Sequence, residues 1–366
     1  MTVFSLEALD ARSGDALLVH HGTQADPGLV VVDGGFGSTY TDRLRPRLAE
    51  LREARGLPDT EPLPIDHLII SHVDDDHISG IVRMFRELRD ARNNGDAAPY
   101  AIEGLWHNAF ADSLEAATEA AGVPDAVVEE TRHAEAVAAS IAAGREIRDI
   151  AQLLALDGNP PFGRLVTGPR ALDLAGLEAT VVAPSDEQLQ ALRAEWAEDV
   201  EHQIEAGNLA RAAAFVDTSV PNLSSIVVHL RFDGRTMLLT GDGRGDHTLA
   251  GLRAAGLMGA DDRCHVDVLK VPHHGSANNV DTPYFAKIVA DHYVISGNGQ
   301  HGNPAPEMLK MLTDTQGDRA YTIHLTYPFG LDVLDRDRAS NTRNYQVVVR
   351  DPAELGIRVD LGDPPA

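Results

Sequence analysis

Short apolar runs that break off into glycine, aspartate or histidine recur along this chain, and they restrict it to a layered fold. "ALLVHHG" and "GLVVVDGG" are separated by "TQADP" and read as a hairpin. "PIDHLIIS", "LLTGDG", "HVDVLKVPHHGS" and "ADHYVISGNGQHGNP" each pass from apolar into polar residues. Runs of this length bounded by turn residues are buried strands. Between them, "HISGIVRMFRELRDAR" sets Ile78, Ile81, Val82, Phe85 and Leu88 on one helical face. Further helices are expected from Arg43 to Arg55, where Pro46 falls near the first turn, and over "APEMLKMLTD". "SSIVVHLRFDGRTMLLTGDG" reads as two strands joined by Asp233-Gly234. Strands alternating with helices give an α/β architecture, with polar clusters gathered at strand ends, where layered folds build their sites.

The 366 residues include one cysteine, Cys264. That excludes an intramolecular disulfide and a thiolate metal cluster, and it fits a reducing compartment. The start "MTVFSLEALDARSGD" has no basic segment followed by an apolar stretch. No run reaches the ~18 apolar residues of a spanning helix. The expectation is a soluble cytoplasmic protein with no membrane partner. Lysine and arginine total 31 against 56 aspartates and glutamates, a net charge of −25. Extended non-specific DNA binding is therefore not expected, because it rests on cationic neutralisation of phosphates. A small molecule, a nucleotide or a nucleic-acid strand held by a local metal stays open as substrate. Residues 109 to 215 are rich in alanine, glutamate and leucine and read as a mostly helical insertion around a β unit, "RALDLAGLEATVVAPS". They lack linker composition, so residues 1–366 are expected to form one domain.

The segment "SHVDDDHISG" carries His72, Asp74, Asp76 and His77 on the loop between a strand and a helix. Imidazole and carboxylate at these offsets can converge on one or two divalent metals. The competing reading is an acidic cap on the next helix. Asp242 follows "LLTG", which alone reads as a turn. His273 and His274 follow "VDVLKVP" and alone read as a surface pair; adjacent histidines point apart, so one can bind metal while the other faces substrate or a supporting carboxylate. His301 lies on a glycine-rich loop. One metal centre uses most of these residues at once. Zinc or manganese suits the donors, and the oxygen-rich set is also compatible with magnesium.

These residues, in this order, resemble the metallo-β-lactamase-fold superfamily. Its main motif, His-x-His-x-Asp-His-x-x-Gly, is here His72-Val73-Asp74-Asp75-Asp76-His77-Ile78-Ser79-Gly80, with Asp74 where the second histidine usually lies. With "DARSGDALLVHHG", "VVDGG", "NLSSIVVHL", "LLTGD", "LKVPHHGS" and "GNPAPEML", that variant resembles the soluble hydrolase domain of ComEC-type DNA-internalisation proteins, over about residues 3–90 and 220–315. The resemblance implies a four-layer αβ/βα sandwich with a helical insertion and metals at one edge of the two sheets. It implies His72 and Asp74 on one ion, Asp76 and His77 on the second, and Asp242 bridging. Where many relatives supply another histidine, this chain has Asn222-Leu223-Ser224-Ser225. The family's last histidine corresponds to His301, or by register to Asn303; His273 is the alternative for the vacancy, with His274 behind it. The implied activity is metal-dependent hydrolysis of a phosphodiester, as a nuclease or nucleotide phosphodiesterase. Asp76 would orient or deprotonate the water, and His274 or His301 would protonate the leaving group. Alternatives are a hydrolase of a small ester, lactone or thioester, and a degenerate binding protein.

Overall fold

The computed structural model describes residues 2–108, 135–188 and 225–365. In chain order the strands are β1 Ser5–Leu9, β2 Leu17–Gly22, β3 Pro27–Val32, β4 Leu63–Ile65, β5 His67–Ile70, β6 Tyr100–Ile102, β7 Leu105–His107, β8 Arg170–Leu174, β9 Leu177–Ala183, β10 Val227–Phe232, β11 Arg235–Leu239, β12 Cys264–Lys270, β13 Ile288–Ile295, β14 Ala320–Leu325, β15 Asn344–Val349 and β16 Gly356–Asp360. One sheet has the order β16-β1-β2-β3-β5-β7, the other β15-β14-β13-β12-β11-β10-β9-β8. The strands that carry polar loops are parallel neighbours: β3 with β5, and β11 with β12 with β13. Their carboxyl ends therefore point the same way within each sheet.

Side-chain alternation on these strands separates two apolar faces. Leu6, Val19, Val30 and Ile69 of the first sheet meet Val181, Val228, Met237 and Val268 of the second. The opposite face of the first sheet, with Leu18, Val31 and Ile70, packs under the helices Arg45–Ala54 and Asp75–Asn94 through Leu48, Leu51, Ile78, Ile81 and Phe85. On the far side, Leu238, Leu269 and Ile295 meet Leu249, Phe285 and Leu309 from the helices Gly245–Ala254, Thr282–Lys287 and Pro306–Gln316. The result is the expected helix–sheet–sheet–helix sandwich.

Three expectations change. "PIDHLIIS" is two strands, because Asp66 breaks the run; β4 pairs with β6 in a small separate sheet. The C-terminal stretch, where the sequence pattern gives no element, is also a strand: β16 pairs antiparallel with β1 along the edge of the first sheet. The "insertion" contains β8 and β9, which extend the second sheet beyond β10. Its first helical part is present as Glu135–Leu153, with Ile147 and Ile150 against the first outer core. The second helical expectation, from residue 189 on, lies outside the described residues, as do Asn222, Leu223 and Ser224. Cys264 is buried, and burial pushes its thiol up to about 11, which suits packing rather than chemistry.

Candidate metal centre

Five strand ends meet at one edge of the sandwich. Asp33 follows β3, His72 to His77 follow β5, Asp242 follows β11, His273 and His274 follow β12, and Ser296 follows β13. The loop before β2 adds Asp15. His72 and His77 are fully buried, and Asp242 is 3% exposed. Asp74 occupies the N-cap position of the helix Asp75–Asn94, yet its side chain makes no capping bond. Its carboxylate faces His72 Nε2 at 3.6 Å instead. The cap reading therefore fails for Asp74. Asp75, by contrast, accepts from the Ser79 hydroxyl and stays out of the cluster.

Asp242 lies at the middle. Its Oδ1 is 3.4 Å from His77 Nε2 and 3.7 Å from His274 Nε2; its Oδ2 is 3.7 Å from His72 Nε2 and 3.5 Å from His273 Nε2. His77 Nε2 and His274 Nε2 are 3.3 Å apart, and Asp76 reaches them at 3.9 and 3.6 Å. All four imidazoles present Nε2 to the cluster because Nδ1 is engaged elsewhere. His77 Nδ1–H donates to Asp33 at 2.8 Å, His273 Nδ1–H to the Asn279 side-chain oxygen at 2.6 Å, and His72 and His274 use Ser71 and Ser296 at 3.0 and 3.1 Å. Ser71 is itself fixed by Asp33, which accepts from its N–H and its hydroxyl at 2.7 and 2.6 Å. Such outer partners select the tautomer that leaves Nε2 free as a ligand.

The consecutive histidines converge because their backbone is left-handed, φ 49° at His273 and 54° at His274. This conformation is costly for residues with a Cβ, and it places two neighbouring imidazoles on the two oxygens of one carboxylate. Ser225, the last residue of the stretch that lacks the expected histidine, is not a further nitrogen donor; its hydroxyl accepts from the Asp242 N–H at 3.1 Å.

The electrostatics call for positive charge. Burial alone would raise Asp242, but His77, His274, His72 and His273 hold it far below the carboxylate range. Burial opposes protonation of His77, yet Asp242, Asp33 and Asp76 outweigh it and push it well up. His72 is likewise raised against burial, by Asp242 and Asp74. His274 is lowered, because burial exceeds the pull of Asp242 and Asp15. His72 Nε2 and Asp242 Oδ1 are buried without hydrogen-bond partners. Buried polar atoms without partners are costly, and three carboxylates facing imidazole nitrogens form a donor set suited to a divalent cation. His72, His77 and Asp242, and separately Asp76, His77 and His274, bring donor atoms within 4.8 Å of one another. The residues fit a metal.

Two placements differ from the sequence reading. His274 is not behind the cluster but in it. His301 is exposed, with no hydrogen bond or ion pair to the cluster among the described residues. Asn303, from the same loop, reaches the His273 carbonyl at 3.4 Å and so supports the turn without offering a ligand. Asp15, Asp33 and Lys270 join the site although the sequence pattern does not single them out as ligands. Lys270 is fully buried, 2.9 Å from Asp15. The Asp15 carboxylate accepts from the Ser296 hydroxyl, which in turn receives His274 Nδ1–H. A lysine inside the apolar strand "VDVLKV" and an aspartate directly after "VV" were the available signals.

A sequence profile of the metallo-beta-lactamase superfamily matches residues 9–281. The chain belongs to the metallo-beta-lactamase superfamily. No curated protein matches the sequence. Among solved structures, that of a CmlA beta-hydroxylase variant is similar at 12% identity and TM-score 0.39, over 98% of this chain and 54% of that one. This chain thus spans about half the length of that relative. As a superfamily member it has the hydrolase-type fold and candidate ligands for divalent metal; no described helix is long and apolar enough to cross a membrane.

Proposed function

We propose that this protein is a metal-dependent phosphodiesterase. The observation that carries the reading is the donor set: three carboxylates, Asp74, Asp76 and Asp242, with four inward Nε2 atoms. Oxygen-rich ligation suits manganese, magnesium or zinc acting on phosphoryl oxygens. Aspartate at position 74, the feature shared with ComEC-type hydrolases, supports it further.

His72, Asp74, His273 and Asp242 would hold one ion, and Asp76, His77, His274 and Asp242 a second. A divalent ion there acts as a Lewis acid and brings the pKa of a bound water toward neutrality. The chain does the rest. Asp33 and Ser296 fix the rings of His77 and His274. Asp74, 40% exposed, and His273, 31% exposed, mark the side open to substrate. Asp76, 24% exposed, would be the carboxylate that orients the water and takes its proton. The superfamily fold also serves ester and lactone hydrolysis, so the test spans those classes. Purified protein is expected to carry divalent metal and to hydrolyse bis-p-nitrophenyl phosphate, with activity abolished in Asp76→Ala and His77→Ala. Turnover confined to esters or lactones would refute the phosphodiester assignment. Absence of metal, with no rescue by added manganese or zinc, would refute the enzyme.

A further inference from the structure

The segments that build the centre run outward together. Loop 10–15 ends on Asp15, the loop after β3 begins with Asp33, and the helix Asp75–Asn94 starts inside the His72–His77 motif. Beyond the centre, the same three segments and the helix Glu135–Leu153 line an open cavity of about 460 Å³ whose walls include Arg12, Phe36, Asp75, Val82, Arg83 and Arg86. The walls are tightly joined. Asp15 N–H donates to the Asp76 carbonyl at 3.2 Å, and a Cβ on Gly14 would lie 2.0 Å from that oxygen. Arg83 lies across Gly37, where a Cβ would come within 2.6 Å of its Nε.

The charges in this cavity are unequally committed. Arg86 holds Glu146 through two bonds of 2.6 and 2.7 Å, and Asp75 is engaged by Ser79. Arg12 and Arg83 have no hydrogen bond or ion pair among the described residues. Nearby Arg43, Arg45 and Arg47 all hold carboxylates, as expected in a chain with so large an acidic excess. Arg12 is also held at φ 62°, a left-handed conformation that a residue with a side chain adopts at a cost, and such strain gathers at functional positions.

We propose that this cavity is an anion subsite that binds a second phosphate of the substrate, beyond the one at the centre. Arg12 and Arg83 supply the guanidinium forks, whose planar donors match phosphate oxygens, and Phe36 with Val82 forms the apolar wall against which the substrate body rests. Two forks suit a dianion. They also offset locally the repulsion that a −25 chain exerts on an anionic substrate. The assignment deepens the phosphodiesterase reading and rests on it for the identity of the first phosphate, but its binding is measurable without turnover.

The test is calorimetric titration of the metal-loaded protein with thymidine 3′,5′-bisphosphate and, separately, thymidine 5′-monophosphate. Wild type is expected to bind the bisphosphate about tenfold or more tightly than the monophosphate. Arg12→Ala and Arg83→Ala are each expected to lose most of that preference with unchanged melting curves, and Arg83→Lys to keep part of it. Equal affinity for the two nucleotides in the wild type, or a preference that survives in both alanine variants, overturns the subsite. Succinate competing as well as inorganic phosphate overturns its assignment to phosphate. If phosphodiester turnover is absent but the arginine-dependent preference is found, the subsite stands and the reaction is misassigned. If turnover is present and the preference is independent of both arginines, the subsite alone fails.

Discussion

Replacing Lys270 by methionine isolates the buried pair behind His274. The substitution keeps the aliphatic stem and removes an ammonium that is 2.9 Å from Asp15 and also donates to the Val271 carbonyl at 3.0 Å. Lys270 is fully buried and Asp15 is 1% exposed, so solvent cannot replace the lost partner. Burial alone would raise the Asp15 pKa; Lys270, with help from His274 and His77, brings it from 3.8 down to about 2. That shift corresponds to about 2 kcal/mol in favour of the carboxylate. Because the folded value is depressed, this stability is present above pH ~4 and fades as pH falls toward 2. Breaking a buried pair from one side costs more, about 3–5 kcal/mol, because a charge is left without compensation. With an unfolding entropy of about 2.1 cal/mol/K per residue, that predicts a fall in Tm of about 4–6 °C. Scanning fluorimetry at pH 7 reads it. The double variant Lys270→Met with Asp15→Asn removes both charges and is expected to recover at least half of the loss. A single variant within 1 °C of wild type, or a double variant with the two losses simply added, would show that the pair does not hold this edge together.

Asp242→Ala is expected to remove metal from both proposed positions, read as loss of metal by emission spectroscopy after dialysis, together with loss of all turnover. Asp33→Asn leaves His77 in place but removes the charge and turns one of the two oxygens that accept from Ser71 and His77 into an NH2 donor, so the His77 tautomer is less firmly fixed; metal affinity should weaken about 10–100-fold. Gly14→Ala would drive a methyl into the Asp76 carbonyl, 2.0 Å away, and is expected to lower both Tm and metal affinity, whereas alanine at the open position Gly158 changes neither. His67, His107 and His229 are buried and pushed down to about 4 by desolvation. Their unfolded forms take up protons below pH ~6.5, so each should cost about 2 kcal/mol of stability at pH 5 relative to pH 7, and urea unfolding at the two pH values measures the sum.

Much of the sandwich was legible because local chemistry and tertiary role coincide. Asp233 and Gly234 both take positive φ, at 47° and 77°, so the hairpin read from two residues is the hairpin that forms. The spacing of His72, Asp74, Asp76 and His77 pointed to a ligand loop because alternate carboxylates between two histidines can converge on one ion, whereas a helix cap uses only one of them. What escaped depends on contacts distant in the chain. Nothing local says that Gly356–Asp360 pairs with β1, since antiparallel register along an edge is a property of two strands. His274 and His301 look alike as loop histidines; only the left-handed turn at 273–274 brings one into the cluster. Lys270 and Asp15 are 255 positions apart, and each is explained only by the other.

The two clusters of inward nitrogens also set an order in time. His77 and Asp242 are separated by 165 residues, and His77 and His274 by 197. At about 5–20 residues per second, a growing chain presents the acidic loop at 72–77 for roughly 10–30 s before Asp242 is made. During that interval the loop has at most half a coordination sphere and holds no ion firmly. On the proposed ligand assignment, metal loading would therefore be a late event that follows docking of the second sheet on the first. An ion held there would clasp the two sheets, joining the loop after β5 to the loops after β11 and β12, which are made later.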